Sequence, residues 1–300
     1  MSPSSPPELF DRARISRNRD RASFAFQDYA FLKVRESTQL LERLKDTSRT
    51  FPRALDLWAH SGQASKVLRE SGRVDHITAV EPSPAMREQL AAQGYETSDF
   101  AGERLGFEDH IFDLLVSVLG LHWVNDLPGV LHQVRQVLKP DGLFLAALFG
   151  GETLHELRSC LIEAESDITG GISPRLSPLP KLQDMAGLLQ RAGFALPVAD
   201  IDRVTVRYAH PMKLLQDLKG MGEQAAFAGQ VRRPLSRRIL SRMSDLYFER
   251  FSDPDGKVRA SFDVIWVSGW APAANQPKPL KPGSGKFSLE AAVKQARQDD

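Results

Sequence analysis

Two carboxylates twenty-five residues apart, Asp56 and Glu81, each end an apolar run that reads as a strand: Arg53-Ala54-Leu55-Asp56-Leu57 and Ile77-Thr78-Ala79-Val80-Glu81. Between them Trp58-Ala59-His60-Ser61-Gly62 reads as a tight turn opening a helix. Strand, turn into a helix, then a second strand ending in an acid is how α/β folds hold an adenosine-bearing cofactor. The turn approaches the ligand closely, and the acid accepts hydrogen bonds from both ribose hydroxyls. The spacing suits S-adenosylmethionine (SAM) and dinucleotides alike. Trp58 stands where the turn calls for glycine. Each residue also has a plainer reading: Asp56 fixing the turn by accepting backbone N–H bonds, Glu81 as a solvated cap, and Gly62 as helix–sheet packing.

Other residue types point to a neighbouring substrate surface. His122 and Trp123 follow the expected fourth strand, where a histidine that titrates near neutrality could act as a base or be a packed, hydrogen-bonded side chain. Glu152 and Thr153 follow Gly150-Gly151, a substrate-facing turn unless Thr153 merely caps the next helix. His60 could meet a carboxylate of the cofactor or face solvent. No short-spaced histidine and carboxylate motif supports His60, His122 and His155 as metal ligands, so no metal site is expected. Cys160 reads as a buried, inert thiol. Arg232-Arg233 and Arg237-Arg238 form a basic stretch, either a solvated face or a dock for an acidic protein. No catalytic base stands out.

Composition narrows the classes. With 300 residues, 42% of them hydrophobic, the chain can bury a substantial core. Lys plus Arg is 39 against Asp plus Glu 38, so bulk attraction to nucleic acid is not indicated. One cysteine excludes an internal disulfide and any site built on several thiolates. No apolar run approaches the roughly 20 residues of a membrane span. Arg12, Arg14, Arg17, Arg19 and Arg21 suggest a transit sequence, but Glu8, Asp11 and Asp20 oppose it. A cytoplasmic, non-membrane protein is expected.

The elements that must position these residues alternate. Residues 1–20 are expected to be a flexible N-terminus. An amphipathic helix follows over 22–44, with Phe31, Val34, Thr38 and Leu41 on one face. Strands are expected over 53–58, 76–81, 95–98 and 112–117, with helices over 63–70 and after Pro84. Asp126 should cap the helix carrying Leu127, Val130, Leu131, Val134 and Leu138. Lys139-Pro140-Asp141-Gly142 turns into the strand 143–149. Such βα units give a parallel sheet with helices on both faces, an α/β Rossmann-like fold. Later come a helix over 181–192, a strand over 197–208, a helical insertion over about 209–257, and a strand over 261–270. The insertion should lie as a lid over the carboxyl ends of the sheet. The folded domain is expected over 21–271, with a disordered tail over 272–300.

In order and spacing, Ala54-Leu55-Asp56-Leu57 with Gly62, Glu81-Pro82-Ser83, Phe112-Asp113-Leu114-Leu115 and Leu138-Lys139-Pro140-Asp141-Gly142 resemble class I SAM-dependent methyltransferases of the type 11 group. A closer resemblance covers about residues 8–290. Leu121-His122-Trp123-Val124-Asn125-Asp126-Leu127-Pro128, Phe149-Gly150-Gly151-Glu152-Thr153-Leu154, Leu218-Lys219-Gly220-Met221-Gly222-Glu223 and Val267-Ser268-Gly269-Trp270 are similar to the respiratory complex I assembly-factor methyltransferase and arginine hydroxylase family. The biotin-pathway carboxyl methyltransferases are more distant.

The resemblance implies a seven-stranded sheet in the order 3-2-1-4-5-7-6 with its last strand antiparallel. It implies SAM held by Asp56, Trp58, Ala59, His60, Gly62, Glu81, Pro82, Ser83, Ala101 and Leu119, and a substrate facing His122, Trp123 and Glu152. For the mitochondrial member it implies hydroxylation of an arginine on an iron–sulfur subunit of complex I. Two departures bear on the cofactor. Trp58 replaces the family glycine, and Ala101 replaces an acid that meets the adenine amino group. Losing the latter bond costs about 1–2 kcal/mol, roughly ten-fold in affinity; an indole in the pocket has no such ceiling. Three functions are therefore expected in competition: a SAM-dependent enzyme that modifies a complex I subunit, an assembly factor that has lost SAM, and a small-carboxylate methyltransferase of the biotin-pathway type.

Overall fold

The computed structural model describes residues 8–229, 234–274 and 276. Seven strands form one sheet: β1 (Phe51–Leu57), β2 (Val74–Val80), β3 (Glu96–Ser98), β4 (Phe112–Val118), β5 (Leu138–Phe149), β6 (Ala195–Tyr208) and β7 (Val258–Trp270). Their spatial order is β3-β2-β1-β4-β5-β7-β6, as the resemblance implied. β7 runs antiparallel to both β5 and β6, and the other pairs are parallel. The order reverses between β1 and β4, so their carboxyl ends flank the crevice where folds of this kind bind ligands.

Alternation assigns the core to two faces. In β5, Leu143, Leu145, Ala147 and Phe149 pack on one side, and Phe144, Ala146 and Leu148 on the other, the period-2 pattern of a strand buried on both faces. The first face is covered by α3 (Phe31–Leu44), α4 (Gln63–Glu70), α7 (His155–Thr169), α9 (Pro211–Gly220) and α10 (Arg237–Phe251). The second carries α6 (Leu127–Val137) and α8 (Leu182–Ala192). α1 (Arg12–Ser23) and α2 (Phe26–Tyr29) precede all of these in sequence, and α5 (Pro84–Ala92) lies between α4 and α6.

Asp126 caps α6, accepting from the Gly129 N–H at 2.9 Å. Asp126→Ala should lower stability by about 1 kcal/mol, read from a urea unfolding midpoint.

Three expectations are corrected. The N-terminal segment is not loose over its second half: residues 12–23 form α1, capped by Asp11, with Ile15, Asn18 and Arg19 buried. The helix expected over 22–44 is broken into α1, α2 and α3. The buried face of α3 is Leu32, Lys33, Glu36, Ser37, Leu40 and Leu44, whereas Phe31 and Val34 are exposed. Buried polar residues hid the true period. Lys33 reaches into the site described below, and Glu36 accepts from the indole N–H of Trp266 at 3.1 Å.

Among the described residues, strand β6 is an edge strand bonded only to β7. Arg43 pairs with its Asp200 at 2.6 Å, Arg35 with Asp202 at 2.7 Å, and its own Arg203 with Asp263 on β7 at 2.6 Å. Ala271 is buried and donates to the Gly142 carbonyl at 2.8 Å. The expected disordered tail beyond residue 276, and Arg232-Arg233, lie outside the described residues.

Candidate nucleoside site and adjoining cavity

The turn after β1 is built from unusual backbone. Trp58 and His60 have φ of +63° and +56°, and Gly62 has +92°. The left-handed region costs a non-glycine residue roughly 1–3 kcal/mol and persists where surroundings over-determine it. Here they do. The Trp58 and Ala59 N–H groups both donate to the Val80 carbonyl, at 2.8 and 3.1 Å, tying the turn to the end of β2. Asp56 is fully buried and accepts from Ser65 N at 3.0 Å and Ser65 Oγ at 2.7 Å, so it fixes the start of α4. Burial raises its pKa, against the opposing influence of Lys33 and Ser65.

Glu81 is fully buried and already has its partners. Arg19, from α1, donates to both carboxylate oxygens, Nε at 2.8 Å and Nη2 at 2.6 Å, a bidentate fork. The backbone N–H groups of His60 and Ser83 complete the set, each at 2.9 Å. The two oxygens that would meet the ribose hydroxyls are thus held by a guanidinium of the same chain.

Arg19 continues the network. Its Nη1 lies 2.7 Å from His60 Nε2. An arginine only donates, so Nε2 is the lone-pair nitrogen and the His60 proton sits on Nδ1, 2.9 Å from the Trp58 carbonyl. Burial, reinforced by Arg19 and Lys33, pushes the His60 pKa well below its usual value. Lys33 Nζ stands 2.6 Å from Nδ1 and donates to the carbonyls of Trp58, at 2.9 Å, and Val118. Beside Nδ1–H only a neutral amine can accept. Burial, partly offset by Asp56, lowers the Lys33 pKa to about 7, in keeping with that geometry.

Trp58 is buried, with the Arg19 guanidinium 5.0 Å above its ring and Phe100 edge-on at 6.0 Å. A Cβ on Gly120 would lie 2.2 Å from the Cβ of Trp58. The indole therefore sits between the chain leaving β3 and the chain leaving β4, over the switch point. Gly120→Ala should cost about 1–3 kcal/mol, and much less when combined with Trp58→Gly, which removes the obstructing group; paired denaturation curves check this.

These residues do not fit SAM as they stand. The space beside Phe26, Lys33, His60 and Leu119 is about 20 Å³, room for about one water, which needs roughly 10–15 Å³. Glu81 lines neither that space nor the larger cavity described next. Asp56, Trp58, Ala59, His60, Gly62, Glu81, Ser83 and Leu119 do converge on the ends of β1, β2 and β4, and all are buried, Gly62 as the positive-φ N-cap of α4. Pro82 is half-buried, its carbonyl accepting from Ser16 Oγ at 3.2 Å. Ala101 is exposed on a 3-10 turn. Two residues on, Glu103 is buried and accepts from the N–H groups of Asn125 and Asp126 at 2.8 and 2.9 Å. The acid that remains in that string braces the chain after β4.

A cavity of about 900 Å³ opens beside this cluster, walled by α1, α7, α9, the loop 172–179 and the chain following β4 and β5. His122 and Trp123 line it, both donating to one oxygen of Glu223, at 3.0 Å from Nε2 and 2.7 Å from Nε1. Burial works to raise the Glu223 pKa, but His122, Arg19 and Trp123 outweigh it and leave the carboxyl lowered. Glu223 belongs to a family string noted above, yet its partner is a hundred residues away. Glu152 does not face the cavity. Thr153 exchanges hydrogen bonds with the Asp263 backbone at 3.1 Å and points inward, which leaves Glu152 exposed. Cys160 is buried, and burial pushes its thiol up to about 11, leaving it unreactive. Among the described residues no group of three or more His, Cys, Asp or Glu side chains could hold a metal, and no helix is long and apolar enough to cross a membrane.

A mixed sheet of this order, with an acid at the end of its second strand, defines the class I methyltransferase fold. A methyltransferase domain family matches residues 55–146. The YcgJ protein of Bacillus subtilis superimposes with a TM-score of 0.55 at 15% identity, over 80% of this chain and 99% of that one, a likeness of fold. The mitochondrial arginine hydroxylase NDUFAF5 of Danio rerio is 36% identical over 94% of this chain and 88% of its own length. A malonyl-[acyl-carrier protein] O-methyltransferase of Halorhodospira halophila is 31% identical over 88% of this chain and 89% of its own. The chain belongs to the class I methyltransferase-fold family of the NDUFAF5 arginine hydroxylases. The expectation of a cytoplasmic protein is corrected by the NDUFAF5 relative, which is mitochondrial by name.

Proposed function

We propose that the protein serves the assembly of respiratory complex I as a methyltransferase-fold factor whose nucleoside site is closed by its own side chains. The observation that carries this reading is the Arg19 fork on Glu81, at 2.8 and 2.6 Å, in the place of the ribose. The buried Trp58 under the Arg19 guanidinium and the space of only about 20 Å³ beside His60 and Leu119 support the same conclusion. The family relationship supports a protein partner, with an iron–sulfur subunit of complex I as the partner that the resemblance implies. The match to a malonyl-carrier methyltransferase is lower in identity, and the reading does not extend to its reaction.

Calorimetric titration with millimolar SAM should give no binding heat for the wild type. The Arg19→Ala/Trp58→Gly variant should acquire saturable binding, and at a hundred-fold excess over Kd a stabilisation of about 2.7 kcal/mol. Tight binding of SAM by the wild type would sink the closed-site reading. Native gels of complex I test the assembly role separately: a deletion strain should lose the assembled complex, and unchanged assembly would remove it.

A further inference from the structure

The cavity of about 900 Å³ is near the upper end of the roughly 300–1,000 Å³ usual for ligand pockets. Its lining is divided by chemistry. Leu157 and Leu161 of α7, Leu215 and Leu218 of α9, and Phe149 and Phe262 of the sheet form an aliphatic and aromatic wall. Five arginines also line it: Arg14, Arg17, Arg21, Arg158 and Arg175. Three of them stand at i, i+3 and i+7 of α1, hence on one helical face. The sole carboxylate of the lining, among the described residues, is Glu223, already engaged by His122 and Trp123.

The arginines are not all committed elsewhere. Arg14 and Arg175 have partners in Asp11 and Glu165. Arg17 and Arg21 are exposed and enter no ion pair among the described residues. Arg158 has a buried Nη2 with no hydrogen-bond partner among the described residues. A buried donor without an acceptor is costly, and an anion in the cavity would supply one. A cationic side chain entering here would meet the like charges of Arg17, Arg21 and Arg158, and a neutral apolar ligand would leave those three guanidinium groups unanswered.

We propose that this cavity binds a single-chain amphipathic anion, a long alkyl chain ending in a carboxylate. The proposal rests on the charge and lining of the cavity and stands whether or not the nucleoside site is closed.

The test titrates the full chain with fatty carboxylates of eight to twelve carbons, below their micellar concentrations. Decanol and decylammonium serve as neutral and cationic counterparts of decanoate. Carboxylates should bind saturably and tighten about two- to four-fold per added methylene, as burial of each CH2 predicts. Decanol should bind at least ten-fold more weakly, and decylammonium more weakly still. Arg17→Glu/Arg21→Glu, both changes being at exposed positions, should weaken decanoate ten-fold or more and flatten its salt dependence. Leu161→Trp should shorten the chain length at which affinity stops rising; if that variant does not fold, the arginine pair decides alone. No saturable binding, equal binding of decanol and decanoate, or indifference to charge reversal would overturn the proposal. Displacement of decanoate by an acidic peptide more tightly than by dodecanoate would also overturn it, assigning the cavity to a protein segment.

Discussion

Arg19→Ala should lower the unfolding free energy by about 3–5 kcal/mol, the usual cost of stranding one member of a buried ion pair. Arg19 is 1% exposed and Glu81 is fully buried, so solvent cannot replace the lost fork. The two backbone donors from His60 and Ser83 remain on Glu81, which places the effect toward the lower end. Arg19→Lys should recover little, because an ammonium cannot make the two parallel bonds or lie over the Trp58 ring. The paired replacement Arg19→Met/Glu81→Leu should regain most of the loss, since no charge is then left buried. Urea unfolding of the four proteins measures this. A loss below about 1 kcal/mol for Arg19→Ala, the size of a surface ion pair, would mean that the fork is not closed in solution.

Stability should rise with pH between about 7 and 10, and Lys33 should be the main cause. Its folded pKa is about 7, against 10.5 for the ordinary amine. In that window the unfolded chain holds a proton that the folded chain has released. The unfolding free energy therefore climbs by about 1.4 kcal/mol per pH unit from this group. The contribution is complete above the unfolded value and is lost as pH falls through the folded one. His60, also lowered, acts with the same sign below its usual 6.5. Tyr95, Tyr208 and Tyr247 are raised, chiefly by burial, and bend the curve down above 10. Lys33→Met should remove the slope between 7 and 10. Its absolute stability is less telling, because the substitution also strips the Trp58 and Val118 carbonyls of a donor. A slope equal to that of the wild type would show that Lys33 is not the group responsible.

Much of this architecture can be read from the chain alone. β1, β2 and β4 are short apolar runs, the first two ending in acids, and Asp126 caps α6 where its spacing indicates. The anomaly of Trp58 is also visible, because a turn of that kind demands glycine. What seals the site is not visible. Arg19 is sixty-two residues from Glu81, in an arginine-rich segment whose composition resembles a loose terminus. Lys33 lies on the polar-looking side of a helix whose exposed Phe31 and Val34 imitate a buried stripe. Glu223 sits in a motif noted for its family likeness, but only the fold brings it to His122. Local patterns record local structure. The polar contacts of this site join elements far apart in sequence, and such contacts leave no periodic trace.

The sheet ends differently on its two sides, and the difference bears on how the protein behaves at high concentration. At one margin β3 has only three residues, too short to template another strand. At the other, β6 is fourteen residues long and shows Val198 and Ile201 to solvent. Asp200, Asp202, Arg203 and Arg207 alternate with them along its length, and α3 clamps two of those acids. Neutralising this charged margin should turn it into an adhesive one, through which separate molecules add strand to strand and precipitate.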